Sequence, residues 1–587
     1  MNRPNLKTAI AGSFRSAVPD AHLISPSNPD QKIKISIYAR RNPGPSNELH
    51  GRMEKLSTEL PGKRKYLSPR EFDELYGADP ADLKKIEVWA KEHKLQVLNK
   101  SVSQRRVEVE GTIADISEAL GVTFNEYEHS AMGGYRGRTG YIYTADDMHG
   151  IIEGIFGLDT RPVGRPRIRR GNRSSLPLNF IKPATGARTK VPDLTNKKPG
   201  TFFPPQVADL YKYPGDVDGT GEHVAIFAFN DARDQDKHGG YSLSALQEYY
   251  RDVLGQPTIP TIEDVVILGK GNYPGVDTEA SENNGDATGE VMLDMSIVGS
   301  VAPGAKIFMY FTEFTSKGWV DAIHNAIAGD NDISVISISY GSMEQDKNSL
   351  WPKMAVKLVD QAFEAAASKG ITICCASGDD GSNDEDKKKG PAEVDFPASS
   401  PNVLAVGGTK LVASKGARPS IVTETVWNEL YLKDGGASGG GVSVVFSKPA
   451  YQDNAPIPVS VDPPHLIGRG VPDVSAVGDP DTGLMVMHVN GKKLDQVGGT
   501  SASAPLWASL IARLNQSMKA RCGFMNPLLY TRFSSGVLRD IIKGNNGAYR
   551  AGKGWDACTG LGSPDGQKLL NALSGKSAKP SKKKKKP

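Results

Sequence analysis

The feature that most constrains this chain is a series of short runs beyond residue 200 that are apolar on both faces. EHVAIFAF, AKIFMYF, ISVISIS, GITICCAS and NVLAVGG alternate with stretches of helical spacing such as SLSALQEYYRDVL and KMAVKLVDQAFEAAASK. A strand with no polar side has no face to turn to water, so it belongs inside a layered structure. Helices between such strands predict an α/β fold, a mostly parallel sheet covered on both sides. In sheets of that kind the functional site lies at the carboxyl ends of the strands.

At 587 residues the chain exceeds what one core holds, and its text changes along its length. Residues 1–30 read as a polar, Pro-rich lead. In residues 31–160, KIKISIYARR and SQRRVEVEGT alternate as strands, whereas SPREFDELYG, DPADLKKIEVWAKEHK and IADISEALGV have helical spacing. That order predicts a small α+β unit with two helices on an antiparallel sheet. Residues 161–200, opening RPVGRPRIRRGNRSS, show no hydrophobic period and read as a basic, protease-sensitive tether. Residues 201–575 form the body, and 576–587 a Lys-rich tail.

Charge follows the same division. Residues 1–200 carry a net +10, residues 201–575 a net −13 and the tail +7. Opposite charge helps the leader dock on the body, although solubility alone also explains such imbalances. The Arg run lacks the interleaved aromatics of a nucleic-acid groove, so no nucleic acid is expected. No run of 18 apolar residues is present, which excludes a helical membrane span. The N-terminal text lacks the apolar stretch of a usual secretory signal. Cys374, Cys375, Cys522 and Cys558 are too few and too irregular for a disulfide framework or a zinc site.

Four segments carry possible chemistry. GGTSASAPLWASLIARLNQ (498–516) places Ser501 where a Gly-rich turn enters a long helix. The first-turn N–H groups there stabilise negative charge, as a nucleophilic serine needs, but a serine at that point also serves as a helix cap. The ten histidines, His223, His238 and His324 among them, stand singly without a supporting signature. GDATGEVMLDMSIVGSVAPGAKI (285–307) instead puts Glu290 and Asp294 four residues apart on one face of an apolar helix, an expensive place for unpaired acids. ITICCASGDDGSND (371–384) runs a strand into a Gly378-Asp379 turn, where Asp is often a turn former only. LRDIIKGNNGAYRAGKGWDACTGLGSP (538–564) offers Asp540, Asp556 and exposed carbonyls, either hard oxygen ligands suited to calcium or an ordinary glycine-rich loop.

Taken together and in this order, these segments resemble the sedolisin family of serine-carboxyl peptidases, most closely its kumamolisin-type members. GLDTRPVGRPRIRR resembles the end of a propeptide, GEVMLDMSIVG the Glu/Asp helix, ASGDDGS the oxyanion loop and GGTSASAP the nucleophile; SPNVLAVGGT, VPDVSAVGDPDTG and GWDACTGLGSP match as well. The resemblance implies a subtilisin-like catalytic domain behind an inhibitory, ferredoxin-like activation domain. It implies Ser501 as nucleophile, Glu290 as base, Asp294 as its support and Asp379 as oxyanion partner. It further implies one Ca²⁺ held by the side chains of Asp540 and Asp556 and the carbonyls of Ile541, Gly552 and Gly554. Polypeptide substrates, the propeptide as intramolecular inhibitor, a monomer and an extracellular location follow from the same likeness. An endopeptidase is expected, with a tripeptidyl-peptidase, a catalytically silent binding protein or an Asp/His/Ser subtilase as alternatives. Two positions depart from the pattern: Ala228-Phe229 stands where relatives carry Glu, and Tyr340 where they carry Trp.

A glutamate base, with a reference pKa near ~4.3 against ~6.5 for histidine, works in acid where imidazole is disabled. A protonated Asp379 donates to an oxyanion, which an ionised one cannot do. Acid is also expected to loosen the leader by protonating carboxylates near pH ~4, with the first cut between about Arg170 and Gly200.

Overall fold

Alternating side chains of His223–Asn230 divide the body into two cores. Val224, Ile226 and Ala228 face one side and Ala225, Phe227 and Phe229 the other, all of them buried, as the two-residue period of a central strand requires. The computed structural model describes residues 7–44, 52–53, 55–130, 132–171, 176–178, 201–230, 239–269, 271–274, 287–344, 351–384, 392–416, 418–433, 435–532 and 536–576. The sheet built on this strand runs in the order Thr261–Val266, Lys306–Glu313, His223–Asn230, Val335–Ile338, Thr372–Ala376, Leu404–Ala413 and Ile421–Val426, with Val474–Val477 also paired to Leu404–Ala413. All pairings are parallel except that of Ile421–Val426. The helices Ala287–Val301 and Thr500–Met518 pack together on one face; Ser316–Ala328 and Lys353–Ser368 cover the other. The expected α/β architecture is thus present.

The leader has the order strand Lys32–Ala39, helix Pro80–Glu92, strands Gln96–Ser101 and Arg106–Thr112, helix Ile113–Leu120, strand Ile152–Phe156. Its antiparallel sheet places Ile152–Phe156 and Arg106–Thr112 on either side of Lys32–Ala39, with Gln96–Ser101 at the edge, the ferredoxin-like pattern. Asp79 and Thr112 cap the two helices by accepting first-turn N–H groups. The sheet's second face meets the body. There Asp321, fully buried, accepts from Tyr38 Oη (2.6 Å), Ser36 Oγ (2.8 Å) and Lys317 Nζ (2.6 Å) and lies 3.1 Å from Arg106 Nη1. Lys317 also reaches Glu108 (3.0 Å).

Two expectations about the ends of the leader change. Residues 7–9 pair with Tyr143–Ala145 and His22–Pro26 with Asn125–His129, so the N-terminal stretch is built into the leader instead of preceding it. Arg165–Pro166 and Arg169–Arg170 are strands paired to the body, so this part of the tether is held in place. Residues 172–175, 179–200 and 577–587 lie outside the described residues, and with them most of the tether and nearly all of the Lys-rich tail. All four cysteines are buried free thiols.

Candidate active site

An α-helix brings residues four apart to the same face, and on Ala287–Val301 that face carries Glu290 and Asp294, both fully buried. The helix bearing Ser501 packs against it. Ser501 Oγ donates to Glu290 Oε2 at 3.0 Å and lies 3.2 Å from the Ser339 carbonyl. Ser339 Oγ in turn donates to Asp294 Oδ1 at 2.7 Å. Burial pushes both carboxyls well above their ordinary range, and for Glu290 the neighbouring Asp294 charge adds to it. Two such acids in a dry site share a proton, because ionising both leaves like charges without solvent between them. The serine therefore faces a carboxyl group where a histidine-based peptidase has imidazole.

Asp379, three residues beyond the apolar strand Thr372–Ala376, meets the first turn of the Ser501 helix. Its Oδ1 accepts from Thr500 N (2.7 Å) and Thr500 Oγ1 (2.8 Å), using a first-turn donor that has no partner within the helix. Its Oδ2 makes no hydrogen bond and lies 3.5 Å from Arg169 Nε. Burial raises the Asp379 pKa to about 6, against the opposing pull of Arg169, the Thr500 donors and Arg167. Gly499 has φ 93°, and a Cβ there would stand 2.1 Å from Arg167 O and 2.6 Å from Asp379 Oδ2. Only glycine lets those two oxygens approach the start of the helix.

The tether itself runs through this cleft as an extended strand. Arg165 pairs with Gly341 and Pro166 with Tyr340; on the other side Arg169 pairs with Gly498 and Arg170 with Val497. Between them Arg167 N donates to Ser339 O (3.0 Å), and Arg167 O accepts from Ser501 N (3.3 Å). The guanidinium of Arg167 is buried against Asp384 (2.7 Å) and Asp395. Arg165 and Arg169 both reach Asp380, at 2.6 and 2.8 Å, and Arg170 reaches Asp495 at 3.2 Å.

In the loop after the last body strands, Asp540 and Asp556 each accept from a glycine N–H of the segment 552–554. Gly554 N donates to Asp540 Oδ2 (2.9 Å) and Gly552 N to Asp556 Oδ2 (3.1 Å). Asp556 Oδ1 accepts from Cys558 N and Thr559 N, and burial raises its pKa to about 6. Ile541, which follows Asp540 in the chain, is buried. Both carboxyls are hard oxygen donors of the kind that Ca²⁺ takes. The same region buttresses the Asp379 loop: Ser382 N donates to Asn546 O (2.8 Å), and Ala548 N to Ser382 Oγ (2.8 Å).

At the departing positions, Ala228 lies on the sheet face beneath the Glu290 helix and brings no charge there. Phe229 packs on Trp319 (ring centroids 4.1 Å) and Tyr340 (5.0 Å) on the opposite face. Sequence reasoning missed Ser339, Thr500 and the pairing of the tether arginines with Asp380, Asp384 and Asp395. The signal was present as an Arg run and an Asp run of opposite sign, but only the fold brings segments over 200 residues apart into contact.

A parallel sheet with a serine-bearing helix at its carboxyl edge, and a carboxyl group within hydrogen-bond reach of that serine, is the arrangement of a subtilisin-like peptidase that works without histidine. Residues 279–555 match the Subtilase family, and residues 19–161 match the family described as Pro-kumamolisin, activation domain. The chain is 37% identical to Kumamolisin of Bacillus sp. (strain MN-32) over 97% of its own length and 96% of that protein's. It is 28% identical to Sedolisin of Pseudomonas sp. (strain 101), over 86% and 81% of the two chains. The solved structure of Pseudomonas sedolisin complexed with two molecules of pseudo-iodotyrostatin superposes with a TM-score of 0.53 at 27% identity, covering 64% of this chain and 99% of that one. The chain belongs to the sedolisin family of serine-carboxyl peptidases and is a kumamolisin-like zymogen with an N-terminal activation domain. Its substrates are polypeptides, and its family commonly binds calcium. No described helix is long and apolar enough to cross a membrane.

Proposed function

We propose that the protein is the precursor of an acid-acting endopeptidase whose nucleophile is Ser501. The observation that carries this reading is the 3.0 Å hydrogen bond from Ser501 Oγ to Glu290 in a cleft that grips an extended peptide on both sides of the serine. Glu290 takes the serine proton as Oγ attacks the carbonyl carbon, then gives it to the leaving amine; water releases the acyl group in the second half. Asp294 holds the shared proton and orients the pair through Ser339. Protonated Asp379 donates from Oδ2 to the oxyanion, beside the Ser501 N–H.

The tether supports endopeptidase over tripeptidyl-peptidase action. Counting back from Arg167, the chain passes Arg165 and continues through Gly164 without a break, and the cleft accommodates it there. A tripeptidyl-peptidase needs a free amine at that distance. Cleavage of internally quenched peptides with blocked N-termini decides between them, since an exopeptidase leaves those intact.

Asp540 and Asp556, with the carbonyls of Ile541, Gly552 and Gly554, would hold Ca²⁺, which supplies the positive charge that ties the loop under the Asp379 turn. The leader, with the N-terminal strands that pair into it, acts as the intramolecular inhibitor and residues 201–575 as the peptidase, which works outside the cell as a monomer. Ser501→Ala should leave a folded, uncleaved precursor of 63.0 kDa in acid. Maturation and normal substrate cleavage by that variant would remove Ser501 from the mechanism.

A further inference from the structure

We propose that Trp319 reads the fourth residue before the cleaved bond and selects glycine there. The proposal deepens the endopeptidase reading and rests on it, with Ser501 as the nucleophile.

The backbone sets the place. The carbonyl that meets Ser501 N–H is that of Arg167, and Arg165 pairs with Gly341, so Gly164 is the fourth residue counted back. There the chain leaves the extended path: Gly164 has φ 85°, the left-handed conformation that crowds the Cβ of an L residue and suits glycine. One residue further back, Val163 N donates to Phe314 O (3.1 Å) and Val163 O accepts from Trp319 Nε1 (2.6 Å). The fifth residue is thus held by both of its backbone polar groups, and the turn falls on the fourth.

The indole ring sets the preference. The Cβ of an L residue at position 164 would stand 3.0 Å from Trp319 Cζ2 and 3.4 Å from Cε2 and Nε1, inside ordinary van der Waals contact. Either the ring or the residue has to give way. The ring is fully buried, lies against Phe229 (ring centroids 4.1 Å) and Trp351 (5.1 Å), and has its N–H engaged, so a shift would overpack its neighbours. Both neighbours belong to the body and stay when the leader departs. Phe314 and Trp319 are also built as one piece: Thr315 caps the helix Ser316–Ala328 by accepting from Gly318 N (3.0 Å), which fixes the turn between the strand acceptor and the ring. Phe314 in turn packs on Phe229 (5.2 Å) and Tyr340 (5.7 Å). Phe229 and Tyr340, at the positions that depart from the family pattern, therefore back this wall. Glycine meets neither obstacle, the left-handed turn or the ring.

The test uses a D residue, which takes a positive φ without strain and sets its Cβ on the side of the backbone away from the ring. Matured enzyme is given blocked, internally quenched peptides Val-X-Arg-Pro-Arg-Ile-Arg in which X is glycine, L-alanine, D-alanine or L-valine, and mass spectrometry confirms the cut before isoleucine. The expected kcat/KM is at least about 10-fold higher for glycine than for L-alanine, the weight of one left-handed L residue, with D-alanine within about 3-fold of glycine and L-valine poorest. This series needs no variant enzyme. Trp319→Leu should draw the glycine to L-alanine ratio toward one. Trp319→Phe, which keeps a ring and loses the N–H, should keep most of that ratio and lose the advantage of the glycine peptide over one lacking its valine. Equal rates for glycine and L-alanine, or D-alanine as poor as L-alanine, would overturn the subsite while leaving the endopeptidase standing. If no blocked peptide is cut, the proposed function itself fails, and the subsite is judged on the Ser501→Ala precursor. Gly164→Ala should lower the melting temperature of that precursor, and by less when Trp319→Leu is also present; a loss that Trp319→Leu leaves unchanged refutes the ring contact.

Discussion

Asparagine at position 379 should separate the donor from the proton that creates it. In the structure Asp379 Oδ1 accepts from Thr500, so an amide in the same place keeps that oxygen and turns Nδ2 to where Oδ2 now lies. The variant then carries its oxyanion donor at every pH. In the native chain the donor exists only while Asp379 is protonated, below a pKa raised by burial to about 6. With a pKa near 6, about one molecule in a hundred is protonated at pH ~8, and loss of one oxyanion donor costs on the order of 10²–10³ in kcat. The native kcat should therefore fall by up to ~100-fold from pH ~4 to ~8 through this group, and Asp379→Asn should lose that fall and retain only the pH dependence of the Glu290–Asp294 pair. Stability moves with the same sign. The folded pKa lies above the unfolded value of 3.8, so the contribution is complete below that value and is lost as pH rises through about 6, amounting to roughly 3 kcal/mol for two pH units. Rate profiles on a blocked peptide, with urea unfolding at the two extremes, check both effects. If Asp379→Asn lost activity over the same pH interval as the native enzyme, the donor role would be wrong.

Three further outcomes follow from the geometry. Glu290→Gln and Asp294→Asn should each reduce acid turnover by roughly 10²–10⁴-fold, Glu290 more, because Ser501 bonds directly to it; near-native turnover by both removes the carboxyl mechanism. Chelation should lower the melting temperature of the matured enzyme, and the difference should grow as pH rises through about 6. Without a cation, Asp556 stabilises the fold fully only below 3.8 and loses this as it ionises; equal melting at all pH values refutes the site. Asp321→Asn in the Ser501→Ala precursor should destabilise the leader's seat by about 3–5 kcal/mol, since Lys317 and Arg106 lose a buried partner; calorimetry reads it, and an unchanged trace refutes it. The Asp321 carboxyl is itself held below its ordinary range by Lys317 and Arg106 against burial, so its grip is lost only as pH falls below the usual aspartate value. Acid thus acts on Asp379 before it acts on this contact, later than the loosening expected from net charge alone.

What could be read from the residues alone was whatever repeats along the chain or is confined to one segment. The apolar runs dictated a central parallel sheet because a strand with two apolar faces has one place to go. The four-residue spacing of Glu290 and Asp294 put both acids on one helical face, and a Gly-rich turn before a long helix marked Ser501. Each of these rests on local periodicity, which the backbone enforces without tertiary help. The tertiary structure decided what meets what. It brought Ser501 to Glu290 across 211 residues, placed Ser339 under Asp294, and laid the Arg167 carbonyl at the Ser501 N–H. Read as text, RPRIRR was an unpaired basic tether, and the Asp residues after Gly378 were turn formers. Docking of the leader makes them one another's counter-charges, because its sheet closes over Asp321 and its chain must then cross the cleft to reach the body. Charge pairing of that kind depends on distance in space, and no spacing within either segment encodes it.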